Sequence, residues 1–192
     1  VHWLSPGGRM VGSFQCGVGG VQRRIRQFKA LSDASVTLEL SRKLVTAKVD
    51  MTRRFLLRTT RNRPREPFAD VLRALTRCLR DIATVDSIDK LRGYEGLAAR
   101  HWFSALPMLV NDDVDALMRP EGRSRRPPKD CFNAALSFGY SLLYRSLLEV
   151  VLRVGLESSF GFFHRPRSSA HPLALDLMEL YRLLLIDRKS VV

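Results

Sequence analysis

Three stretches of this sequence place an ionisable side chain inside otherwise apolar, helix-forming residues, and the first contains Glu95. This acid lies between Gly93 and Gly96. Each glycine inside a helix costs up to about 1 kcal/mol relative to alanine. Small residues at these positions could let a second backbone or a phosphate approach the carboxylate closely. An exposed surface glutamate explains the same residues, and the local sequence does not separate the two interpretations.

A histidine and two further acids complete the candidates. His164 follows the apolar turn at residues 160–163, a position typical of a pocket edge but also of a buried, hydrogen-bonded histidine. Asp176 and Glu179 are three residues apart, so they share one face of a leucine-rich helix. Two acids that point inward repel each other unless a cation or an arginine lies between them. The alternative for this pair is a solvated acidic face.

Taken together, these side chains indicate a divalent-metal site. Carboxylates combined with one imidazole form a mixed oxygen and nitrogen set that suits manganese or magnesium, and zinc is less favoured without a nearby cysteine. In a basic protein, such an ion would polarise a phosphodiester and stabilise charge on the attacking or leaving oxygen. The sequence lacks a Gly-x-Ser-x-Gly nucleophile motif and a Walker-type glycine loop. A serine hydrolase and a P-loop NTPase are therefore weaker interpretations.

The composition favours a polyanionic partner. The 192 residues carry 32 lysines and arginines against 19 acids, which gives a net charge of +13. Nucleic acid is the first partner expected for such a chain, and an anionic membrane surface is the second. With 45% hydrophobic residues, the chain can bury a core. The three scattered cysteines favour free thiols in a reducing cytoplasm, and neither a signal peptide nor a membrane-spanning run of roughly 20 residues is expected.

The elements that must position these residues are mainly helices. Residues 1–20 are rich in glycine and typical of short strands and turns, so we expect them to be the C-terminal remnant of a small β-rich domain. The chain opens on Val1 in sequence typical of mid-strand, and preceding sequence is expected to be missing. Residues 21–192 are predicted to form one α-helical domain whose C-terminal end is incomplete. The predicted fold class is therefore mainly α.

Cap and break signals divide residues 21–192 into separate helices. The predicted boundaries are an N-cap at Ser32 and Asp33, a break over residues 61–67, an N-cap at Ser87, an end near Pro107, a helix over about 131–154 stopped by Gly155, and a last helix beginning at Pro172. The first long helix is expected to carry Lys48 on its basic face, opposite its apolar side chains. Residues 111–130 are expected to form a mobile basic loop.

Four of these segments resemble, in order, the motifs of the CRISPR-associated spacer integrase (Cas-one) family. Residues 92–99, RGYEGLAA, resemble its glutamate motif, and RPPKD at 126–130 with residues 133–143 resembles its central helix signature. GFFH at 161–164 is similar to its histidine motif, and residues 169–182, which include LALDLME, are similar to its acidic helix. The order and spacing of four separate matches argue against chance agreement.

The resemblance implies an N-terminal β domain followed by a helical domain. It implies that Glu95, His164 and Glu179 bind Mn²⁺ or Mg²⁺, with Asp176 as an accessory catalytic acid. It further implies a homodimer that joins a small partner, Cas-two, and inserts foreign DNA into a CRISPR array, where a DNA 3′-hydroxyl attacks a repeat phosphodiester. Most of the β domain and the usual C-terminal continuation are expected to be absent. An upstream fusion to a Cas-four-type nuclease is compatible with this sequence.

Basic side chains near these motifs are the candidates for contact with DNA phosphates. They are Arg100, Arg123, Arg125, Arg126, Lys129 and Arg165. Each of them is equally explained as part of a solvated basic surface. The competing interpretation of the whole chain is a non-catalytic, basic, helical nucleic-acid-binding module, or an inactive fragment of the integrase. The enzyme would need a divalent metal to cleave DNA, whereas the binding module would not respond to a chelator.

Overall fold

A short antiparallel ribbon precedes the helices in the computed structural model. The structure describes residues 2–6, 10–13, 20–110, 118–120, 122–125, 127–166 and 170–187. Strand β1 (His2–Leu4) pairs with strand β2 (Met10–Ser13), and the register shifts between Trp3 and Leu4. The ribbon agrees with the strands expected in residues 1–20. Its origin in a larger β domain stays a prediction.

Six α-helices form most of the described chain, which confirms the predicted mainly helical fold class. They are α1 (Val21–Leu31), α2 (Ala34–Thr59), α3 (Glu66–Ile82), α4 (Ile88–Leu109), α5 (Cys131–Arg153) and α6 (Pro172–Arg182). A π-helical turn, Leu183–Asp187, continues α6 and ends at a buried carboxylate. Such turns are frequent at functional sites.

Local capping chemistry begins or ends several helices where the sequence predicts it. The Asp33 carboxylate accepts two backbone N–H groups at the start of α2, and the Ser87 hydroxyl accepts one at the start of α4. Pro172 is the first residue of α6, where its missing N–H costs nothing. Gly155 follows α5 with a φ of 74°, a left-handed conformation that favours glycine.

Helix α4 ends near Pro107, as expected, but it includes this proline and continues for two more residues to Leu109. A proline inside a helix removes one backbone hydrogen bond and costs about 3 kcal/mol or more. The last turn of α4, however, carries Leu106 and Leu109, which are 2% and 0% exposed. Full burial of each leucine contributes roughly 1.5–3 kcal/mol. Packing of this turn therefore offsets the cost of the proline.

The hydrophobic core lies among α2, α3 and α4, and α6 packs against both α2 and α5. Helix α3 shows the pattern that builds this core, since Val71, Leu75, Cys78 and Ile82 recur at helical spacing and are all buried. Burial also raises the pKa of the Cys78 thiol. The packing brings one face each of α2, α4 and α6 together, which is where the candidate site residues lie.

Helix α5 leaves much apolar surface exposed. Phe138, Leu142 and Val150 are 65%, 45% and 52% exposed. Among the described residues, α5 is also the one helix long and apolar enough to cross a membrane, with a mean hydropathy of 1.2 over its most apolar window. No such run is expected from the sequence. A single helix of this kind is weak evidence for a membrane span.

Candidate metal centre

The candidate residues come from two helices and one turn that meet at a single place. Glu95 lies on α4, Asp176 and Glu179 lie on α6, and His164 ends the turn that precedes α6 in the chain. Helix α2, which contacts both α4 and α6, adds Lys48 to the same place. Stretches of sequence that are far apart are therefore joined by helix packing.

Asp176 anchors the turn that carries His164. Its side chain is 0% exposed, and its carboxylate accepts the backbone N–H groups of Phe162 at 2.7 Å, Phe163 at 3.0 Å and His164 at 2.8 Å. The same carboxylate contacts His164 Nδ1 at 2.6 Å. Hydrogen bonds to an ionised acceptor are the strong ones. Asp176 therefore fixes both the backbone and the ring of His164.

Helices α2 and α4 hold the same turn from its other sides. The buried Ser41 hydroxyl donates to the Phe162 carbonyl at 3.1 Å, and Arg92 Nε donates to the Phe163 carbonyl at 3.0 Å. Gly161 is required at the start of the turn, because a Cβ there would lie 2.6 Å from Asp176 Oδ2 and 2.8 Å from the backbone carbon of Pro172. The turn is thus pinned by three helices.

The contact with Asp176 sets the chemistry of the His164 ring. A proton on Nδ1 donates to the carboxylate and leaves a lone pair on Nε2, which is the tautomer that a metal-binding histidine needs. Nε2 lies 3.9 Å from Glu179 Oε1. The imidazole nitrogen and the carboxylate oxygen both act as acceptors here, and their facing arrangement is favourable when a cation lies between them. Metal–ligand bonds of about 2.1 Å can span such a separation.

Glu95 and Glu179 share one ammonium group. Lys48 Nζ donates to Glu95 Oε1, and it donates to Glu179 Oε2 at 2.5 Å. Arg182 pairs with the other oxygen of Glu179 at 3.1 Å. Burial by itself raises the pKa of the Glu179 carboxyl, but the charges of Lys48 and Arg182 outweigh burial, and the pKa lies below its ordinary value. Glu179 is therefore ionised at neutral pH.

The donor atoms fit a divalent ion in chemistry, although not in the arrangement seen here. Across the described ranges, no three His, Cys, Asp or Glu side chains lie close enough together to hold a metal. The Lys48 ammonium instead joins Glu95 to Glu179. Two carboxylates and an imidazole nitrogen are the donor types that suit a Mn²⁺ or Mg²⁺ site.

A second buried carboxylate lies next to this cluster. Asp187 is 4% exposed and accepts hydrogen bonds from Trp102 Nε1 at 3.1 Å and from the Tyr140 hydroxyl at 2.5 Å. Burial raises the pKa of Asp187 and outweighs the opposite effect of the two donors. The Arg182 guanidinium lies 4.9 Å from the centre of the Tyr140 ring. Arg182 thus connects the Asp187 network to Glu179.

A small cavity opens onto the Glu95–Glu179 pair and onto Asp187. Its volume is about 40 Å³, and its lining includes Lys48, Glu95, Glu179, Asp187 and Arg125. The space is of the order needed for one or two small ligands such as waters. A Cβ at Gly93 or Gly96 would meet no atom within 4 Å, so no second backbone approaches closely there, and the expected approach of a phosphate stays a prediction. Both glycines face open surface.

The candidate DNA contacts divide into exposed and inward-facing groups. The exposed side chains are those of Arg100, Arg125, Lys129 and Arg165. Arg165 pairs with Asp89 at 2.9 Å, and this pairing, together with Arg92, lowers the pKa of the Asp89 carboxyl. Arg126 lies outside the described residues.

Arg123 is directed into the protein. Its guanidinium donates to Asn133 Oδ1 at 2.8 Å and to the Ser137 hydroxyl at 3.2 Å, and it lies 5.8 Å and 5.5 Å from the ring centres of Phe103 and Tyr140. Burial lowers the pKa of this guanidinium. The arrangement ties the described part of the loop before α5 to α4 and α5.

Sequence reasoning missed the cations of the site. Lys48 was expected on the basic face of α2, and that expectation is wrong, since its side chain is 17% exposed. The spacing contained the correct signal: Lys48 is three or four residues from Leu44, Val45 and Thr52, which are buried. A lysine within an apolar stripe needs an acidic partner.

Fold and site together define a basic helical domain with a carboxylate–imidazole centre, a type of site found in metal-dependent enzymes that act on phosphodiesters. A family model described as CRISPR associated protein Cas1 matches residues 1–191. The chain belongs to this family, which confirms the resemblance seen in the motifs.

Individual relatives agree with the family match. A CRISPR-associated exonuclease Cas4/endonuclease Cas1 fusion from Leptospira interrogans is 50% identical over 189 residues, which cover 97% of this chain and 35% of the relative. A CRISPR-associated endonuclease Cas1 from Moorella thermoacetica is 37% identical, with coverages of 90% and 51%. A solved structure described as a partial Cas6-RT-Cas1–Cas2 complex superposes with a TM-score of 0.84 at 26% identity, covering 99% of this chain and 56% of that one. The chain spans about a third to a half of these curated relatives.

Proposed function

We propose that this chain acts as a Cas1-type DNA endonuclease and integrase that holds Mn²⁺ or Mg²⁺ through Glu95, His164 and Glu179. One observation carries the proposal: Glu95 and Glu179 share the Lys48 ammonium, while His164 Nε2 faces Glu179 at 3.9 Å. Glu95 and Glu179 thus flank one position that attracts a cation, and His164 faces Glu179 beside it. Membership of the Cas1 family supports the reaction class.

The chain's own residues have separable tasks in this mechanism. When bound, the ion would supply Lewis-acid stabilisation of the phosphodiester oxygens. Asp176 retains the Nδ1 proton of His164 and keeps Nε2 directed towards Glu179. Arg182 orients Glu179 from the opposite side. Asp176 is therefore a positioning residue in our proposal, and not an acid that reaches the DNA.

DNA is the proposed substrate, as spacer precursor and as CRISPR repeat. The net charge of +13 favours a polyanion. Arg125 lines the cavity beside Glu95 and Glu179, and Arg100, Lys129 and Arg165 are exposed. We propose these four as phosphate contacts, together with Arg126. Arg123 would act indirectly, by holding the loop that carries Arg125.

Protein partners belong to the same proposal. A solved structure to which this chain is similar is described as a Cas1–Cas2 complex, which supports a Cas2-type partner. We propose a homodimer as well. The exposed apolar surface of α5, at Phe138, Leu142 and Val150, is of the kind that protein partners cover.

Cleavage of branched DNA tests the enzymatic proposal. We expect the chain to nick a branched duplex with Mn²⁺ and to lose nicking in excess EDTA. Glu95→Gln and His164→Ala should each reduce the rate at least 100-fold, since changes even to outer-shell partners cost about 10–100-fold. Glu149→Gln is the matched control, because Glu149 is an exposed glutamate that pairs only with Arg153 of its own helix in the contacts described.

The non-catalytic interpretation makes the opposite prediction. A binding module would retain DNA affinity in EDTA, show no nicking with Mn²⁺ and respond equally to all three substitutions. Cleavage that survives both Glu95→Gln and His164→Ala would remove these residues from the mechanism. Filter binding and nicking on the same DNA, measured side by side, distinguish these outcomes.

A further inference from the structure

We infer that Lys48 is a positioning residue whose ammonium acts as the resident cation of the Glu95–Glu179 pair and must withdraw when a divalent ion binds. The inference rests on the proposed metal centre. It goes further by assigning a role to a side chain from α2, a helix that contributes none of the proposed ligands. It also states that metal binding is a competition between two cations for one pair of carboxylates.

The environment of Lys48 separates it from Lys43, the other lysine of α2. Its side chain is 17% exposed and contacts carboxylates that are 23% and 4% exposed, on α4 and on α6. Lys43, five residues earlier, pairs with Glu39 on its own helix, and these two side chains are 71% and 60% exposed. An exposed pair of this kind contributes little, whereas loss of one partner of a buried pair is costly.

Removal of the ammonium would leave the two acids without a shared partner. Glu179 would keep Arg182, which pairs with Oε1, but among the contacts described Glu95 has no other cation. Like charges in a partly desolvated site repel, because the local dielectric constant is well below that of water. Lys48 therefore holds α4 and α6 together through their acids when no divalent ion is present.

A divalent ion cannot bind between these acids while the ammonium stays. Mg²⁺ ligands lie at about 2.0–2.1 Å, closer than the 2.5 Å between Lys48 Nζ and Glu179 Oε2. The two cations would occupy the same space and repel each other. Loss of Lys48 should therefore have opposite effects on the two states: the metal-free protein becomes less stable, and the affinity for metal rises.

Thermal unfolding of the 192-residue chain with and without Mn²⁺ tests this inference. In EDTA we expect Lys48→Met to lower the Tm by about 5 °C or more, a shift within reach of one buried pair in a chain of this size. Saturating Mn²⁺ should raise its Tm by more than it raises that of the wild type. Calorimetric titration should give at least about tenfold tighter Mn²⁺ binding for the variant, which a purely structural role would not produce. Lys43→Met is the matched control and should behave as the wild type.

The double substitution Lys48→Met with Glu95→Gln keeps the test decisive if the single variant unfolds. Neutralising one acid removes the repulsion, so the double variant should regain Tm in EDTA relative to Lys48→Met. A single variant that folds only with Mn²⁺ supports the inference. A chain that stays unfolded with Mn²⁺ and in the double variant overturns it.

The failure of the metal centre and the failure of this inference give different results. A wild-type chain that shows neither a Tm shift nor binding heat with Mn²⁺ removes the proposed metal centre, and the inference with it. If the wild type responds to Mn²⁺ but Lys48→Met has the same Tm in EDTA and the same Mn²⁺ affinity as the wild type, only the role of Lys48 is refuted.

Discussion

Replacement of Asp176 with alanine tests whether this acid positions the turn that carries His164. The carboxylate accepts three backbone N–H groups, of Phe162, Phe163 and His164, and contacts the His164 ring at 2.6 Å. In Asp176→Ala these donors lose their acceptor inside the protein. The two other clamps on the turn, from Ser41 and Arg92, would remain.

The magnitude follows from the number and type of these bonds. A hydrogen bond to a charged group contributes about 1.5–3 kcal/mol, and a simple sum of four overestimates the loss because the turn relaxes and water enters. Breaking a buried charged pair typically costs about 3–5 kcal/mol, and we expect Asp176→Ala to fall in that range. Asp176→Asn keeps one acceptor oxygen but presents an N–H₂ group to backbone donors. We expect a loss of about 2–4 kcal/mol for it.

Urea unfolding followed by circular dichroism measures both losses, with Asp70→Ala as the control. Asp70 is an acid on α3 whose side chain is 88% exposed. Its removal should change the free energy of unfolding by less than about 0.5 kcal/mol. Mn²⁺ affinity should also fall by about 10–100-fold in Asp176→Asn, because His164 loses its orienting partner. An Asp176→Ala chain within 1 kcal/mol of the wild type would refute the clamp.

Two further predictions use glycine and carboxylate positions. Gly161→Ala should lower the free energy of unfolding by about 1–3 kcal/mol, because the new Cβ would lie 2.6 Å from Asp176 Oδ2. Gly96→Ala should raise the free energy of unfolding by about 0.4–1 kcal/mol, because a Cβ at this position would meet no atom within 4 Å. Thermal and urea unfolding check both, and a stabilised Gly161→Ala would contradict the packing. Burial raises the pKa of Asp187 above 3.8, so the folded chain keeps a proton that the unfolded chain releases. The free energy of unfolding of the wild type, relative to that of Asp187→Asn, should therefore fall as pH rises from about 4 through the folded-state pKa, and should then stay constant. Urea unfolding at a series of pH values measures both proteins. If Asp187 titrated normally, their relative stability would not change across this range.

The features that the sequence predicts well are those that depend on neighbouring residues. Asp33, Ser87 and Pro172 begin helices through contacts or constraints within a few positions. The acidic and histidine motifs can also be recognised from the sequence, because they are defined by residue types in a fixed order along the chain. Pro107 shows the limit of this approach, because burial of the last turn of α4 overrides a strong local signal.

The parts of the site that sequence reasoning missed are tertiary contacts. Lys48 is 47 residues from Glu95 and 131 from Glu179, and Arg92 is 71 from the Phe163 carbonyl that it binds. No local pattern relates such pairs. The sequence did predict that a cation or an arginine would be needed beside inward-facing acids, and Lys48 and Arg182 both meet that need for Glu179. What it could not supply was which of 32 basic residues would do so.

The charge balance of the proposed centre gives a physical reason why a basic chain would use a metal there to bind DNA. Glu95, Asp176 and Glu179 bring three formal negative charges, and Lys48 and Arg182 bring two positive ones, so these five side chains together keep one negative charge. A phosphodiester attracted by the surrounding net charge of +13 would be repelled at the last few ångströms. When a divalent ion replaces the Lys48 ammonium between the acids, the ammonium withdraws but its charge stays in the neighbourhood, and the added ion makes the centre attractive to a phosphate. We therefore expect Mn²⁺ to strengthen the binding of a DNA junction to the wild type. At saturating Mn²⁺, Lys48→Met should bind the junction more weakly than the wild type, because the ammonium charge is absent.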